Sequence, residues 1–227
     1  MEPAAQLRLV YIRYAGSRDA LEFLTVPVGP LQCNCYILWS DPSDCVVIDP
    51  GDEPEKIIAA LTARELTPTL ILNTHGHFDH TGAVDALRKK YSASYRIHAD
   101  EQQILRWIPA GTKMWGITIP AAPVPLEFVA DRQKFTHHDL VVEAIHTPGH
   151  TPGSTCYYVE KLNSVFTGDT LFAASIGRTD FPGGSMPQIL DSIHERLLTL
   201  PPETKVYPGH GPATTIEAES ESNPFLQ

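Results

Sequence analysis

The most informative stretch of this chain is Thr74-His75-Gly76-His77-Phe78-Asp79-His80, the histidine loop, which follows the apolar run Leu70-Ile71-Leu72. Its pattern, H-x-H-x-D-H, puts three imidazoles and one carboxylate within six residues. Zinc and similar metals bind to neutral imidazole nitrogens and carboxylate oxygens. In an extended turn, alternation places His75 and His77 on one side, while Asp79 and His80 can point another way. The loop therefore predicts ligands for two adjacent metal ions, and a chance cluster of histidines at a strand end is the weaker interpretation.

Side chains of ligand type occur at three more places, each at the end of a β-like run. His150 closes His-Thr-Pro-Gly-His at 146–150, Asp169 follows the apolar stretch 165–168, and His210 lies in Val-Tyr-Pro-Gly-His-Gly at 206–211. A neighbouring glycine or proline fixes each loop. Rigid scaffolds hold metals with residues that reach one place from separate strand ends. The sequence thus predicts that these three residues join the histidine loop at one site.

Apolar spacing divides the chain into two similar series of elements. Alternating or continuous apolar runs predict strands, and helical spacing predicts helices. The predicted strands cover residues 7–14, 21–28, 34–39, 45–48, 69–73, 95–98, 140–145, 155–159, 164–167 and 205–207, and the predicted helices cover 53–66, 82–91, 99–108 and 187–200. Strands followed by helices, twice, predict two β-sheets packed face to face and flanked by helices.

Residues 109–129 lose this regular spacing and contain Pro109, Pro120, Pro123 and Pro125. We predict a long loop outside the core. Such loops often serve as lids over a functional site. The alternative is a surface Ω-loop that packs on its own aromatic side chains.

The composition limits the classes of partner. With 227 residues, 42% of them hydrophobic, the chain is expected to form a single domain over residues 1–227. A formal net charge of −10 disfavours nucleic acid, and the one basic run, Arg88-Lys89-Lys90, is typical of a solvated helix face. No apolar run reaches the length of a membrane span, and residues 1–13 lack the pattern of a signal peptide. We therefore expect a cytoplasmic protein without membrane partners.

The four cysteines do not indicate a metal or disulfide framework. Cys33, Cys35, Cys45 and Cys156 show no zinc-finger spacing and are too few to staple a small secreted fold. On a strand, Cys33 and Cys35 would point to the same face. We interpret all four as small apolar residues in a reducing compartment, rather than as a redox pair.

These motifs, in this order, resemble the metallo-β-lactamase superfamily over nearly the whole chain. The resemblance implies an α/β fold, an αββα sandwich of two mixed β-sheets flanked by helices, with a dinuclear metal centre at one edge. It implies that His75, His77 and His150 hold the first ion, that Asp79, His80 and His210 hold the second, and that Asp169 bridges both. Two divalent ions are expected, with zinc favoured, although the same ligands accept iron or manganese.

Two further segments resemble the short bacterial hydrolases of the glyoxalase II type. They are Pro-Val-Gly-Pro-Leu-Gln-Cys-Asn-Cys at 27–35 and Ser-Ile-Gly-Arg-Thr-Asp-Phe at 175–181. The resemblance implies that Arg178 helps to bind the carboxylate of glutathione, although Arg178 could instead pair with Asp180 or Glu195 and anchor its loop. The chain departs from long glyoxalase II enzymes because no separate glutathione-binding helical domain is expected after His210.

The resemblance implies a metallohydrolase that cleaves a small, glutathione-derived thioester, with S-lactoylglutathione as the leading substrate. A metal-bridging hydroxide is expected to attack the thioester carbonyl, because paired metals lower the pKa of bound water from 15.7 towards about 7. Asp79 would bind one metal and orient the nucleophile or accept its proton. The thiolate needs little acid assistance, because thiol pKa values lie near 8.5.

The main alternative is a persulfide dioxygenase, which shares the fold but uses one iron. The positions of His75, His150 and Asp169 suit both enzymes. His210 stands in Gly-His-Gly and completes a second metal site, which favours the hydrolase. Lactone hydrolysis and, more weakly, RNA processing are further alternatives. A non-catalytic metal-binding scaffold is disfavoured because none of the seven ligand positions is missing.

Overall fold

The computed structural model describes residues 8–11, 21–40, 43–107, 122–125 and 127–227. Its first sheet has seven strands in sequential order: β1 (Arg8–Tyr11), β2 (Glu22–Val28), β3 (Cys33–Trp39), β4 (Asp44–Ile48), β5 (Thr67–Leu72), β6 (Ser94–His98) and β7 (Glu127–Val129). Strands β1 to β4 pair antiparallel, and β4 to β7 pair parallel. Parallel neighbours need a crossover, and helices α1 (Pro54–Thr62), α2 (Phe78–Thr81) and α3 (Val84–Tyr91) lie in the crossovers on either side of β5.

The second sheet has six strands in the order β15-β14-β11-β10-β9-β8. Their bounds are β8 (Lys134–His137), β9 (Leu140–His146), β10 (Thr155–Val159), β11 (Ser164–Gly168), β14 (Lys205–Pro208) and β15 (Thr214–Thr215). Only β11 and β14 pair parallel, so this sheet is mixed as well. A separate two-stranded ribbon joins β12 (Leu171–Phe172) to β13 (Ser175–Ile176).

Three buried clusters show that the layers stack as helix, sheet, sheet and helix. Strand β3 illustrates this, because its side chains alternate between two clusters. Cys33 and Cys35 pack with residues of α1 and α3 on the outer face, as the sequence predicted for this pair. Tyr36 and Leu38 pack against the second sheet. Burial on both faces explains why β3 reads as a continuous apolar run.

The third cluster covers the outer face of the second sheet. Helix α5 (Met186–Ser192) continues into a π-helical turn, Ile193–Leu197, and contributes Ile189 and Ile193. Helix α6 (Ile216–Ser222) adds Ile216. The predicted αββα sandwich is therefore confirmed.

All ten predicted strands and all four predicted helices have counterparts among the described residues, and several ends differ. Residues 7 and 12–14 of the first predicted strand and residue 108 of the third predicted helix lie outside the described residues. The helix predicted at 53–66 ends at Thr62, and Glu65 has a positive φ of 55°. The helix predicted at 99–108 begins as a 3-10 turn, Ala99–Glu101, and continues as α4 over residues 102–107. The sequence did not predict β7, β8, the short strands β12, β13 and β15, or helices α2 and α6.

The predicted loop at 109–129 is wrong at its end. Glu127–Val129 forms β7, which pairs parallel with β6 and buries Val129. A three-residue strand is too short to show alternation of apolar and polar residues. The prolines before it therefore led to the prediction of a loop up to residue 129. Residues 108–121 and 126 lie outside the described part of the chain, and the lid prediction concerns mainly those. No helix among the described residues is long and apolar enough to span a membrane.

Candidate metal centre

The histidine loop lies at the end of β5, where the first sheet meets the second. Asn73 and Thr74 leave the strand, and the backbone carbonyl of Thr74 accepts a hydrogen bond from the N–H of Thr155 in β10 (2.8 Å). Asp79 and His80 fall in the single helical turn α2, which begins directly after His77. The sequence suggested an extended turn here, but a helical turn carries the second pair, and the rings of His75 and His80 lie 4.1 Å apart between centroids.

The first group of ligand-type residues combines His75, His77 and His150. The Nδ1 of His77 lies 3.0 Å from His75 Nε2 and 3.1 Å from His150 Nε2. Two nitrogens bound to one tetrahedral zinc, each at about 2.0–2.1 Å, are about 3.3 Å apart. Three nitrogens at these spacings can share one metal ion after small shifts.

The second group combines Asp79, His80 and His210. The Nε2 of His210 lies 3.2 Å from Asp79 Oδ2 and 3.3 Å from His80 Nε2. His210 follows β14 of the second sheet, whereas the other two follow β5 of the first. Both sheets therefore contribute to each group.

Asp169, at the end of β11, lies between the groups and turns one oxygen to each. Its Oδ2 is 3.8 Å from His150 Nε2. Its Oδ1 is 3.5 Å from His80 Nε2 and 3.7 Å from His210 Nε2. The structure thus brings together all seven residues that the sequence singled out as ligands.

Hydrogen bonds on the outer side of the rings determine which nitrogen carries the proton. The Nδ1–H of His150 donates to the carbonyl oxygen of Arg178 (2.7 Å), and that of His210 to the carbonyl oxygen of Leu31 (3.0 Å). The Nδ1–H of His80 donates to a buried carboxylate at 2.9 Å. Each of these rings therefore turns its Nε2 towards the site, and the neutral form of the ring offers that nitrogen as a metal ligand.

This arrangement fits a divalent metal because, when His80 and His210 are neutral, three acceptor atoms have no donor. The lone pairs of His80 Nε2 and His210 Nε2 face each other at 3.3 Å, which is unfavourable unless a proton or a metal cation lies between them. Asp169 Oδ1 is buried and has no hydrogen-bond partner among the described residues. An unsatisfied buried carboxylate oxygen costs free energy. A cation at this position would satisfy all three atoms.

Asp49, which was not among the residues predicted for the site, orients both groups. Its carboxylate is 1% exposed and accepts hydrogen bonds from Thr74 N (2.8 Å), Thr74 Oγ1 (2.6 Å), Asn73 Nδ2 (2.9 Å) and His80 Nδ1 (2.9 Å). Because Thr74 Oγ1 donates to Asp49, it can accept the Nδ1–H of His75 at 3.1 Å. Asp49 also follows a strand and precedes Pro50-Gly51, so the criterion applied to the other ligand-type residues would have found it.

Burial sets the protonation of the first group. Burial lowers the pKa of His77 to about 3, with a further contribution from His150. Burial lowers the pKa of His75 and of His150 too. These imidazoles are neutral at pH 7, which is the form that binds metal.

In the metal-free protein, mutual charges set the protonation of the second group. Burial alone would raise the pKa of Asp79, but His80 and the hydrogen bond with His210 hold it well below its usual range. Burial alone would lower the pKa of His210, yet the hydrogen bond with Asp79 and the charge of Asp169 raise it. Asp79 is therefore ionised at neutral pH and can act as an acceptor.

Gly209 allows His210 to approach its neighbours. A Cβ at this position would collide with Asp169 Oδ1 and would lie 2.7 Å from His80 Cε1. The glycine before His210 is therefore required by the packing around the second group. Two residues later, Gly211 has φ +76° and nothing within 4 Å of a built Cβ, so its requirement is conformational only.

Arg178 lies on the exposed rim beside the first group. Its Nε and Nη2 donate to the two oxygens of Asp180 at 2.7 and 2.6 Å, and its guanidinium carbon lies 4.1 Å from the centre of the Phe181 ring. The ring of Phe181 in turn contacts His77 edge-on, with centroids 5.5 Å apart. Of the two pairings considered from the sequence, the structure shows the one with Asp180.

A separate cluster of His98, Asp100 and His146 has metal-ligand composition but unsuitable geometry. The two imidazoles stack face to face, with centroids 4.1 Å apart and an interplanar angle of 8°. Imidazole lone pairs lie in the ring plane, so two parallel stacked rings cannot direct them to one ion. His146 Nε2 contacts the carbonyl oxygen of Pro152 instead (3.0 Å).

The sequence profile of the metallo-beta-lactamase superfamily matches residues 28–210, a range that includes all seven ligand-type residues. The chain belongs to the metallo-β-lactamase superfamily. It is a metallo-hydrolase with a fold that binds divalent metal ions.

Two relatives within this superfamily match almost end to end. The probable metallo-hydrolase YqgX of Bacillus subtilis is 41% identical over 208 residues, which is 91% of this chain and 98% of the relative. The hydroxyacylglutathione hydrolase GloC of Haemophilus influenzae is 34% identical over 203 residues, with 88% and 96% covered.

Solved structures of the superfamily show the same fold. The B3 metallo-β-lactamase BLEG-1 is 42% identical with a TM-score of 0.85, covering 90% of this chain and 99% of that one. TTHA1623, solved in a di-iron-bound form, is 39% identical with a TM-score of 0.82, covering 89% and 99%. ETHE1 from Myxococcus xanthus is 30% identical with a TM-score of 0.72, covering 89% and 83%.

Proposed function

We propose that the seven residues hold two divalent metal ions and that the enzyme hydrolyses a small thioester, with S-lactoylglutathione as the leading substrate. His75, His77 and His150 would bind the first ion, and Asp79, His80 and His210 the second. The observation that carries this proposal is the position of Asp169, whose two oxygens each face one group. A single-ion enzyme would have no need of the second group.

The metals, when bound, would activate water at neutral pH and polarise the substrate carbonyl. The other contributions to the reaction come from the side chains of the protein. Asp79, about 15% exposed at its side chain, is accessible to water and would accept a hydrogen bond from the attacking water molecule. Its lowered pKa makes it a weak base, so we assign it an orienting role more than a proton-storing one.

The leaving group supports a thioester as the substrate. A thiolate leaves without prior protonation near neutral pH, because thiol pKa values lie near 8.5. The amine released from an amide must receive a proton. The similarity to the hydroxyacylglutathione hydrolase GloC favours a glutathione thioester. Arg178, exposed on the rim beside His77, is the residue that we assign to the glutathione carboxylate, with its Nη1 not used by the bonds with Asp180.

We propose zinc as the metal, with iron as the competitor. Imidazole and carboxylate ligands accept zinc, iron and manganese. The similarity to the di-iron form of TTHA1623 makes iron the specific alternative. Loading the metal-free protein with each metal, and then measuring thioester turnover, distinguishes them.

A second candidate function is β-lactam hydrolysis, which the 42% identity to BLEG-1 favours. The persulfide dioxygenase alternative from the sequence belongs in the same comparison, because the positions of His75, His150 and Asp169 suit it as well. The test supplies the purified protein with S-lactoylglutathione, a chromogenic cephalosporin or glutathione persulfide plus oxygen. We expect the highest kcat/KM for the thioester. Faster turnover of the cephalosporin, or oxygen uptake with the persulfide, would overturn the proposal.

A further inference from the structure

Glu101 is a fully buried carboxyl group that the proposed reaction does not use. It ends the turn Ala99–Glu101 that follows β6, and its exposure is 0%. Burial raises its pKa, and hydrogen bonds from Thr151 and two backbone N–H groups act in the opposite direction. A buried carboxyl group is costly unless its oxygens are hydrogen-bonded, so its partners indicate what it does.

The two oxygens of Glu101 bind two different loops of the metal centre. Oε2 accepts the N–H of Gly76 at 2.6 Å, and Gly76 lies between His75 and His77. Oε1 accepts the N–H of Gly153 at 2.7 Å, in the turn that follows His150. The first loop leaves the first sheet and the second loop belongs to the second sheet. One carboxyl group therefore connects the two loops that carry the first ligand group.

Both glycines are in close contact with Glu101. A Cβ at Gly76 would lie 2.9 Å from Glu101 Oε2, and a Cβ at Gly153 would lie 2.8 Å from Glu101 Cγ. Real Cβ contacts of this length are not tolerated without movement of the neighbour. The sequence predicts Glu101 only as part of a helix over residues 99–108, because local spacing says nothing about these partners.

We propose that Glu101 is a positioning residue that sets the separation of His77 and His150 before a metal binds. In the structure, His77 Nδ1 and His150 Nε2 lie 3.1 Å apart. A preformed group loses less conformational freedom on binding than one that must assemble. This role rests on the proposed metal centre, and it predicts that Glu101 affects the first group and not the second.

The test measures zinc affinity by competition with a chromophoric chelator. Glu101→Gln keeps the size of the side chain but turns an NH2 group towards a backbone N–H, so one of the two bonds is lost. In a His210→Ala background, which keeps only the first group intact, we expect Glu101→Gln to weaken zinc binding about 10- to 100-fold. In a His77→Ala background, which keeps only the second group intact, we expect no change.

Glu219→Gln is the matched control. Glu219 is also buried, at 3% exposure, and accepts hydrogen bonds from Ala174 N, Thr214 Oγ1 and Asn223 Nδ2. We expect it to lower thermal stability without changing zinc affinity at either group. Equal losses at both groups, the same loss in Glu219→Gln, or unchanged affinity in Glu101→Gln would overturn the positioning role. Absence of zinc binding by the unaltered protein would instead overturn the proposed metal centre.

Amide hydrogen exchange gives a second test that needs no variant. In the metal-stripped wild-type protein, we expect the amides of Gly76 and Gly153 to be as protected as that of Leu72 in β5, because their acceptor does not depend on the metal. Exchange as fast as that of Gly211 would contradict the proposal. This measurement can overturn the proposal even if Glu101→Gln does not fold.

Discussion

At the scale of single residues, the centre depends on carboxylates whose surroundings differ. Asp169 presents one oxygen to each ligand group, and Oδ1 has no other partner among the described residues. The Asp49 carboxylate accepts four hydrogen bonds, one of which orients His80. Asp79 combines partial exposure with a lowered pKa. The same side-chain type thus serves three purposes because burial and hydrogen bonding differ.

Asp79→Asn tests the assigned role of Asp79. We expect kcat for thioester hydrolysis to fall about 100- to 10,000-fold, because the amide removes the negative charge that orients the water. The far-ultraviolet circular dichroism spectrum should be unchanged. Asp85→Asn is the control, since Asp85 is an exposed residue of α3 that pairs with Arg88. Wild-type turnover in Asp79→Asn would remove Asp79 from the mechanism.

Arg178→Ala tests how the substrate is recognised. A hydrogen bond to a charged group contributes about 1.5–3 kcal/mol, so KM for S-lactoylglutathione should rise about 10-fold or more while kcat changes little. Lys161→Ala is the control, because Lys161 forms a similar exposed pair with Asp139. A loss confined to kcat would instead indicate that Arg178 anchors its loop through Asp180.

Residue identities predicted the ligands but not the residues that support them. The seven ligand-type side chains stand out because the chemistry requires those types beside glycine or proline at strand ends. Asp49 follows a strand, as the ligands do, and could have been found in the same way. Glu101 acts through Gly76 and Gly153, which are 25 and 52 positions away. Such relations depend on how the two sheets meet, and no local spacing records them.

At the scale of elements, strands that are buried on both faces were predictable and short ones were not. Strands β3 and β4 are continuous apolar runs, which buried strands require. Strand β7 has only three residues. It is a strand because it pairs with β6, and its own sequence shows no strand pattern. Helix α5 was predicted, but its π-helical continuation was not, because the apolar spacing is similar in both. Element identity was therefore more predictable than element ends.

The loop after β14 provides a test at this scale. Gly209→Ala should weaken metal binding at the second group, because the added methyl would collide with Asp169 and crowd His80. Gly211→Ala, two residues later in the same loop, is the control. Its positive φ should cost about 1 kcal/mol of stability, without loss of metal, since nothing lies near the added methyl. Equal metal contents in the two variants would contradict the packing argument. Metal content is measured after dialysis.

At the scale of the whole molecule, the aromatic cluster between the sheets holds the two halves of the site together. Phe166 contacts Phe23 edge-on at 5.3 Å and Tyr36 at 4.8 Å between ring centroids. Phe23 and Tyr36 belong to the first sheet and Phe166 to the second. Since each ligand group draws on both sheets, sheet packing and metal binding are coupled.

Phe166→Ala should lower the free energy of unfolding by about 3–5 kcal/mol, because it leaves a cavity between the sheets. Urea unfolding of the metal-loaded and the metal-stripped protein measures this. Metal removal should lower stability further, because ions that bind only the folded state stabilise it. Ile216→Val, in the outer cluster, is the milder control at about 0.5–1.5 kcal/mol. A Phe166→Ala variant as stable as wild type would show that the two sheets are not held together here.

The most direct test of the two-ion centre is the metal content of the purified protein and of two variants, measured by mass spectrometry after dialysis. The arrangement of His77, Asp169 and His210 predicts two equivalents of metal in the wild type. It predicts about one equivalent in His77→Ala and in His210→Ala, with thioester turnover lost in both. One equivalent in the wild type, unchanged in His210→Ala, would contradict the two-ion centre.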